Sequence, residues 1–406
     1  VTEVRDYRGL QSVLRVAFPF SNVDGAQVGR SASIQIHQKF NTHDVALLTL
    51  PYFIMPSGSS RLAYGAPISV SYSAPSAVGV LNGYVHDYRP ITGTKGKGTQ
   101  VQIISTGLVL KTRRSRVFSN LTASNIVKRI ADENGLRSDI EPHPRIFHQV
   151  AQAGCSDWEL LVDLARRIGY SVRVEGVTLQ FVSRATLARH YRAMAPTLTV
   201  NRDDFTRPLG LRDVLAFTPS VSDHQQTMTE SLAQHVVTGM DLAGRPFEVM
   251  ASKLASPGRV QGIPVQSQIH TVESAQSRVE AQQIAEGKAE SNRYPVQAHA
   301  VLWGDPRVAP NRVIRLTGLG DGLSGYWTVL EAIHEVKSGP IYQMEVILGT
   351  ESLGNEVLNP VPSTKTVVPT GGLLKMPYPD MRLTQGTNAV KGAVTFEGGP
   401  RWVPVN

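Results

Sequence analysis

The sequence predicts a mainly β protein carrying one α+β insertion, and three observations lead there. Between Ser119 and Val182 the apolar period is helical twice and then becomes that of paired strands. On both sides of that stretch the chain consists of short β-branched and aromatic runs bounded by Gly, Pro, Asn and Ser. Beyond Gly354, Pro360, Pro362, Pro369, Pro377, Pro379, Pro400 and Pro404 interrupt every candidate element. These changes divide the chain into 1–116, an insertion 117–184, a connector 185–214, a second β block 215–354 and a Pro/Gly-rich extended arm 355–406.

Within the insertion, Thr122 is a natural N-cap, and Ala123, Ile126, Val127, Ile130 and Ala131 form one helical face that Gly135 ends. Ser156-Asp157-Trp158-Glu159 reads as a capping box, followed by Leu160, Leu161, Leu164, Ala165 and Ile168 and stopped by Gly169. Tyr170, Val172 and Val174 then alternate with polar residues, Glu175-Gly176 is the expected turn, and Val177, Leu179 and Phe181 return. The expected order is helix, long loop, helix, hairpin.

This order of residue types, from Ser115 to Gly135, then Gln149, then Ser156-Asp157-Trp158 opening a helix that Gly169 closes, resembles tail-hub proteins of contractile and long-tailed phages. It is similar too to the late-control D proteins and to the hub half of type VI secretion spikes. Ser-Asp followed by an aromatic opens the second helix in that family, and Trp158 stands at the aromatic position. A second hallmark is the run Ala309 to Ile314, Gly325 to Val329 and His334-Glu335-Val336 followed by a return strand.

The resemblance implies two tube-type β-barrel domains per chain, the small helix-helix-hairpin module inserted after the first. It implies a homotrimer whose six barrels meet a sixfold tail tube. A tail tube or distal tail protein would lie above, a tail-tip or spike protein below, and tape-measure protein in the channel, with transient, non-specific passage of DNA. The implied location is the virion tail tip or baseplate, assembled in host cytoplasm.

The first block should hold strands at Leu14–Phe18, Ser31–Gln38, Val45–Leu50, Ile68–Tyr72 and Gly79–Asp87. A long hairpin should return through Gln100–Leu110, with a tip at Thr92–Thr99 that is mobile by composition. In the connector, Ala185–Met194 reads as a helix and Thr197–Val200 as a strand. Ala216–Val221, Gln234–Asp241 and Pro246–Ala251 follow as strands. Val272–Ser291 reads as a surface helix capped by Thr271, with a thin apolar face of Val272, Ala275, Val279, Ala285 and Ala289. Four strands close the block: Gln297–Leu302, Arg312–Thr317, Tyr326–Val336 and Ile341–Leu348.

Apolar residues make up 41% of the 406 and charged ones only 18%, which favours a surface partly covered by neighbours. The net charge of +8 is scattered, so it permits nucleic-acid contact without demanding it. The densest run, Lys111 to Arg116, reads as a solvated strand end or subunit contact, with phosphate contact as the alternative. A single cysteine, Cys155, leaves no internal disulfide to form and fits a reducing cytoplasm. No run approaches a membrane span, and the first residues lack the pattern of a signal peptide.

Candidate chemistry is sparse. Gly320 to Gly325 matches G-x-G-x-x-G, but the strand-forming Tyr326-Trp327-Thr328 after it favours a hairpin loop over a dinucleotide site. The Gly93–Thr99 tip has P-loop composition without P-loop spacing. His37, His43-Asp44, His143 and His148 lack metal-ligand spacing, and Cys155 has no His/Asn partner signature. Glu273, Glu280, Glu286 and Glu290 read as a solvated helix face, and nothing brings two carboxylates together as a glycosidase needs. The expectation is therefore a structural protein without catalytic residues, cofactor or metal. A tail-tip cell-wall hydrolase is the alternative. Partner contacts are expected at Lys95 and Lys97 in the hairpin tip and at Trp402 in the arm.

Overall fold

The computed structural model describes residues 14–17, 32–51, 64–74, 77–93, 96–200, 213–219, 234–240, 244–251, 268–275, 277–291, 294, 296–319, 323–337, 342–350, 394–397 and 401–404. The first block contributes β1 (Leu14–Ala17), β2 (Ser33–Lys39), β3 (Val45–Pro51), β4 (Pro67–Ala74), β5 (Ala77–Gly93) and β6 (Gly96–Ser105). A 3-10 turn, Thr106–Lys111, leads into the insertion: β7 (Arg113–Thr122), α1 (Ala123–Glu133), β8 (Arg137–Ile140), β9 (Ile146–Ser156), α2 (Asp157–Ile168), β10 (Tyr170–Glu175) and β11 (Thr178–Ser183). The connector holds α3 (Arg184–Arg192) and β12 (Thr197–Thr199). Then follow β13 (Val214–Pro219), β14 (Gln234–Met240), β15 (Pro246–Ala251), β16 (Gln268–Ala275), α4 (Arg278–Ser291), β17 (Val296–Trp303), β18 (Val313–Thr317), β19 (Gly325–Lys337) and β20 (Tyr342–Thr350). The arm holds a hairpin, β21 (Val394–Glu397) and β22 (Arg401–Pro404), where an extended segment is expected; its other residues lie outside the described ones.

The insertion forms as its spacing predicts. Thr122 Oγ1 accepts from the Asn125 N–H at 3.2 Å, and the predicted apolar face of α1 is fully buried. Ser156 Oγ accepts from the Glu159 N–H at 3.2 Å while Glu159 Oε2 accepts from the Ser156 N–H at 2.6 Å, which completes the capping box. Gly135 and Gly169 take the left-handed φ, +67° and +73°, that stops each helix. Trp158 packs in the core with its ring 4.0 Å from that of His43.

Three details differ. The long loop between the helices contains β8, which pairs parallel with β11, and β9, which pairs antiparallel with β7. β9 escapes a period-2 reading because its register shifts opposite Arg113/Ser115, near Gly154 with φ +68°. The turn residues of the hairpin are Gly176-Val177 rather than Glu175-Gly176: Glu175 pairs with Thr178, Gly176 supplies φ +60°, and Val177 is left exposed. In the hairpin of β5 and β6, pairing extends to Gly93 and Gly96, so the unpaired tip is shorter than expected.

The helix expected over Val272–Ser291 begins at Arg278. The β-branched run Thr271-Val272 belongs to β16, paired parallel with β14, and Ser277 is the cap, accepting from the Glu280 N–H at 3.2 Å. Val279 is exposed, and Ala281, Ile284 and Ala285 face the sheet of β14, β15 and β16. α4 does not lie on an outer surface. A Cβ on Gly287 would come 2.5 Å from the Arg167 carbonyl, so α4 touches the C-terminal end of α2 backbone to backbone. Arg145 donates to Glu280 across the same seam at 2.8 Å, and Glu290 is buried, so these two carboxylates are not a solvated face.

The two β blocks, expected as separate barrels, share one 12-stranded sheet whose main path is β1-β4-β5-β6-β3-β2-β19-β20-β17-β13. The join is antiparallel pairing of β2 with the second half of β19, from Lys39↔Glu331 to Ser33↔Lys337. The first half of β19 pairs instead with β18. β5 is 17 residues long; it pairs with β4 through its first half and with β6 through its second, so the sheet turns back over one core. The second block encloses its own core around Trp327. Among the described residues no ring of pairings closes.

Buried polar groups fasten the three modules. His334 on β19 contacts the Tyr342 hydroxyl at 2.8 Å through Nδ1 and Gln38 Oε1 at 3.2 Å through Nε2. Gln38 donates to Asp44 at 2.7 Å, and Asp44 accepts from Arg173 of the insertion at 3.0 Å. Arg173 also donates to the Pro310 carbonyl at 2.8 Å, in the second block. Gln38 spends its amide on Asp44, so Oε1 accepts from His334 and the imidazole is neutral with its proton on Nε2. Burial, with the nearby Arg173, lowers the His334 pKa to about 3.

Three outcomes follow. Gly287→Leu separates α4 from α2 and costs about 1–3 kcal/mol, read from the urea midpoint. Arg173→Met leaves Asp44 buried without its cation and costs about 3–5 kcal/mol, of which the added change Asp44→Asn restores a part. The pH dependence has a defined sign. His43, with both ring nitrogens buried and unbonded, is held at about 4 by burial and by Lys111. Its unfolded form takes up a proton near pH 6.5, so stability falls as pH drops from there towards 4. His43→Phe flattens that limb of the urea-midpoint profile, leaving the share of His334, which extends to about 3.

Candidate functional site

The shared sheet presents one continuous open face. On β2, Ile34, Ile36 and Gln38 point into the core, so Ser33, Gln35, His37 and Lys39 point out. On β19, Ala332, His334 and Val336 are buried and Glu331, Ile333, Glu335 and Lys337 share the opposite face. Register carries this face across the junction. One row runs Gln102, Leu47, Gln35, Glu335, Gln343, Trp303 from β6 to β17. The next runs Val45, His37, Ile333, Glu345, Val301, Ala216 and ends on β13. Neither row breaks where one block gives way to the other.

Every described Lys or Arg on this face has an acidic partner. Lys39 Nζ lies 2.9 Å and His37 Nε2 2.5 Å from the Glu331 carboxylate. Lys337 Nζ is 2.7 Å from Glu335, His299 Nε2 3.7 Å from Glu345, and Arg89 3.1 Å from Asp87. Burial pushes the Glu331 carboxyl up, but hydrogen bonds from Lys39 and His37 outweigh it and hold the pKa below the usual carboxylate range. Behind the sheet, where the three modules meet, is a cavity of about 160 Å³ lined by Tyr72, Asp44, Arg173, Glu175, Arg307 and Arg312. Its charges are already matched: Arg173 by Asp44, Arg312 by Glu175 at 2.6 Å and Arg307 by Asp305 at 2.6 Å.

The residues singled out in the sequence do not gather into this face. Lys95 lies outside the described residues. Lys97 of β6 pairs through its backbone with Thr92 of β5, and Trp402 of β22 pairs with Phe396 of β21 in a different sheet; the side chains of Lys97 and Trp402 lie outside the described ones. Two arginines of the basic run are structural: Arg114 pairs with Glu133, and Arg116 donates to Glu133 and to the buried Asp157 while its guanidinium covers Phe118. The segment Gly318 to Gly325 joins β18 to β19, so the glycine motif lies between strands. Among the described residues no group of three His, Cys, Asp or Glu could hold a metal, and no helix is long and apolar enough to cross a membrane. The charged residues of the face were missed, although Gln35, His37, Lys39 and Glu331, Glu335, Lys337 alternate with core residues in a readable period of two.

Comparison with known proteins agrees with this architecture. A family model described as phage tail baseplate hub (GPD) matches residues 61–340. No curated protein matches in sequence. The 43 kDa tail protein of prophage MuSo2 from Shewanella oneidensis superposes with a TM-score of 0.57 at 14% identity, covering 84% of this chain and 98% of that one. The tail protein from Neisseria meningitidis MC58 gives 0.59 at 10% identity, covering 85% and 98%. A chain of the Francisella PdpA–VgrG complex gives 0.51 at 9% identity, covering 88% of this chain and 55% of that one. At these identities the likeness establishes a shared fold, while the family match spans well over half of the chain. The chain belongs to the phage tail baseplate hub family.

Proposed function

We propose that three copies of this chain close a ring at the distal end of a tail tube, its two β blocks acting as tube-type domains within 1–116 and 215–354. The single observation that carries this reading is the uninterrupted sheet across β2 and β19. It gives each chain two β units side by side, so a trimer offers six, the number needed to seat on a sixfold tube without a symmetry clash. The strip ends at β13, which pairs only with β17 among the described residues. An edge of that kind is an invitation to pair with the next copy.

In this ring the open face lines a channel for tape-measure protein and then DNA. A tail tube or distal tail protein sits above and a tail-tip or spike protein below, with the arm 355–406 docking on a neighbour. The protein's work is geometric, and no catalytic step belongs to this reading. The test is the solution mass of the purified chain, with and without 355–406, followed by negative-stain imaging. Threefold rings with a central hole are the expected result. A monomer that stays monomeric when mixed with its tail neighbours overturns it.

A further inference from the structure

We propose that the open face of the shared sheet is a self-neutralised surface past which nucleic acid moves without adhering, its cations being silenced by specific carboxylates. The inference rests on the channel reading above and adds to it a mechanism residing in named side chains.

The chain as a whole carries +8. The described charges of this face are Lys39, Arg89 and Lys337 against Asp87, Glu331, Glu335 and Glu345, three cations to four carboxylates. Among the described side chains this face therefore carries none of the chain's excess positive charge. Each cation is in an ion pair with a carboxylate on the same face. Such exposed pairs add little to stability, typically about 0–1 kcal/mol, so their main physical effect is on the potential above the sheet. A polyanion adheres to protein chiefly by releasing counterions to free Lys and Arg. Here each ammonium or guanidinium already faces an anion, and between the pairs the rows hold Gln100, Gln102, Gln35, Gln343, Ser33 and Thr49, which carry no charge. Glu331 is the central element, since its two oxygens hold Lys39 and His37 together.

The experiment compares two full-length variants of equal net charge. Glu331→Gln, Glu335→Gln and Glu345→Gln together unmask the face. Asp132→Asn, Asp139→Asn and Glu248→Gln together make the same charge change away from it, at carboxylates that pair with no described Lys or Arg. Binding of a fluorescent duplex of about 20 base pairs is followed by anisotropy from about 50 to 300 mM salt, and circular dichroism verifies the fold of both. The face variant is expected to bind about tenfold more tightly than the control at the lowest salt. Its slope of log affinity against log salt should be steeper by about two, one for each freed lysine. Equal affinities and slopes overturn the proposal. The ring is judged separately, by mass: a monomer whose face variant gains affinity refutes the ring and not the surface, and a ring whose face variant gains nothing refutes the surface and not the ring.

Discussion

Arg173 is a cation with almost no access to water, and the assembly of the three modules depends on how that charge is satisfied. Removing a guanidinium from solvent is tolerable only where an anion and further acceptors meet it in good geometry. Asp44 comes from the first block, the Pro310 carbonyl from the second, and Arg173 itself from the insertion. The geometry exists only when all three are docked. Through Gln38 the same network reaches His334 and Tyr342 at the core of the shared sheet. Apolar burial supplies most of the driving force, but it is non-directional and would tolerate other arrangements of three β-rich modules. The polar chain accepts one.

The network also accounts for the neutral state of His334. A second positive charge beside Arg173 in a water-free interior would be costly. Burial and Arg173 both act against protonation, and a tautomer that donates to Gln38 while accepting from Tyr342 uses both ring nitrogens. The result is a histidine that serves as a connector, with no place in proton transfer.

Much of this was legible in the letters, because local rules governed it. The caps at Thr122 and Ser156, the stops at Gly135 and Gly169, and the buried faces of both helices depend on near neighbours in sequence, as do most of the strands. What could not be read is what distant pairing decides. Nothing in the sequence of β2 says that it will pair with β19, some three hundred residues away, so two barrels were expected where one sheet runs through. The strand β9 is disguised by a register shift, and the first turn of the expected helix at Val272 was captured by β14. The open face was hidden for a related reason. Its ion pairs join Lys39 to Glu331, and a charge looks unmatched in sequence until the register supplies its partner. Lys97 is singled out by its place in a lysine-bearing hairpin tip and Trp402 as an apolar residue in an extended arm, criteria that find unusual side chains but not surfaces made of ordinary ones.

The strand shared by the two blocks has a mechanical consequence. β19 is 13 residues long and hydrogen-bonds to β18, β2 and β20, so it acts as a beam common to both halves. Inter-strand bonds lie across the strand direction. Force applied along β19 strains the whole β2 ladder at once, while force that peels one block away meets the bonds one by one. The chain is therefore stiff in shear and weak in opening, and the two halves respond to a load along that axis as a single body.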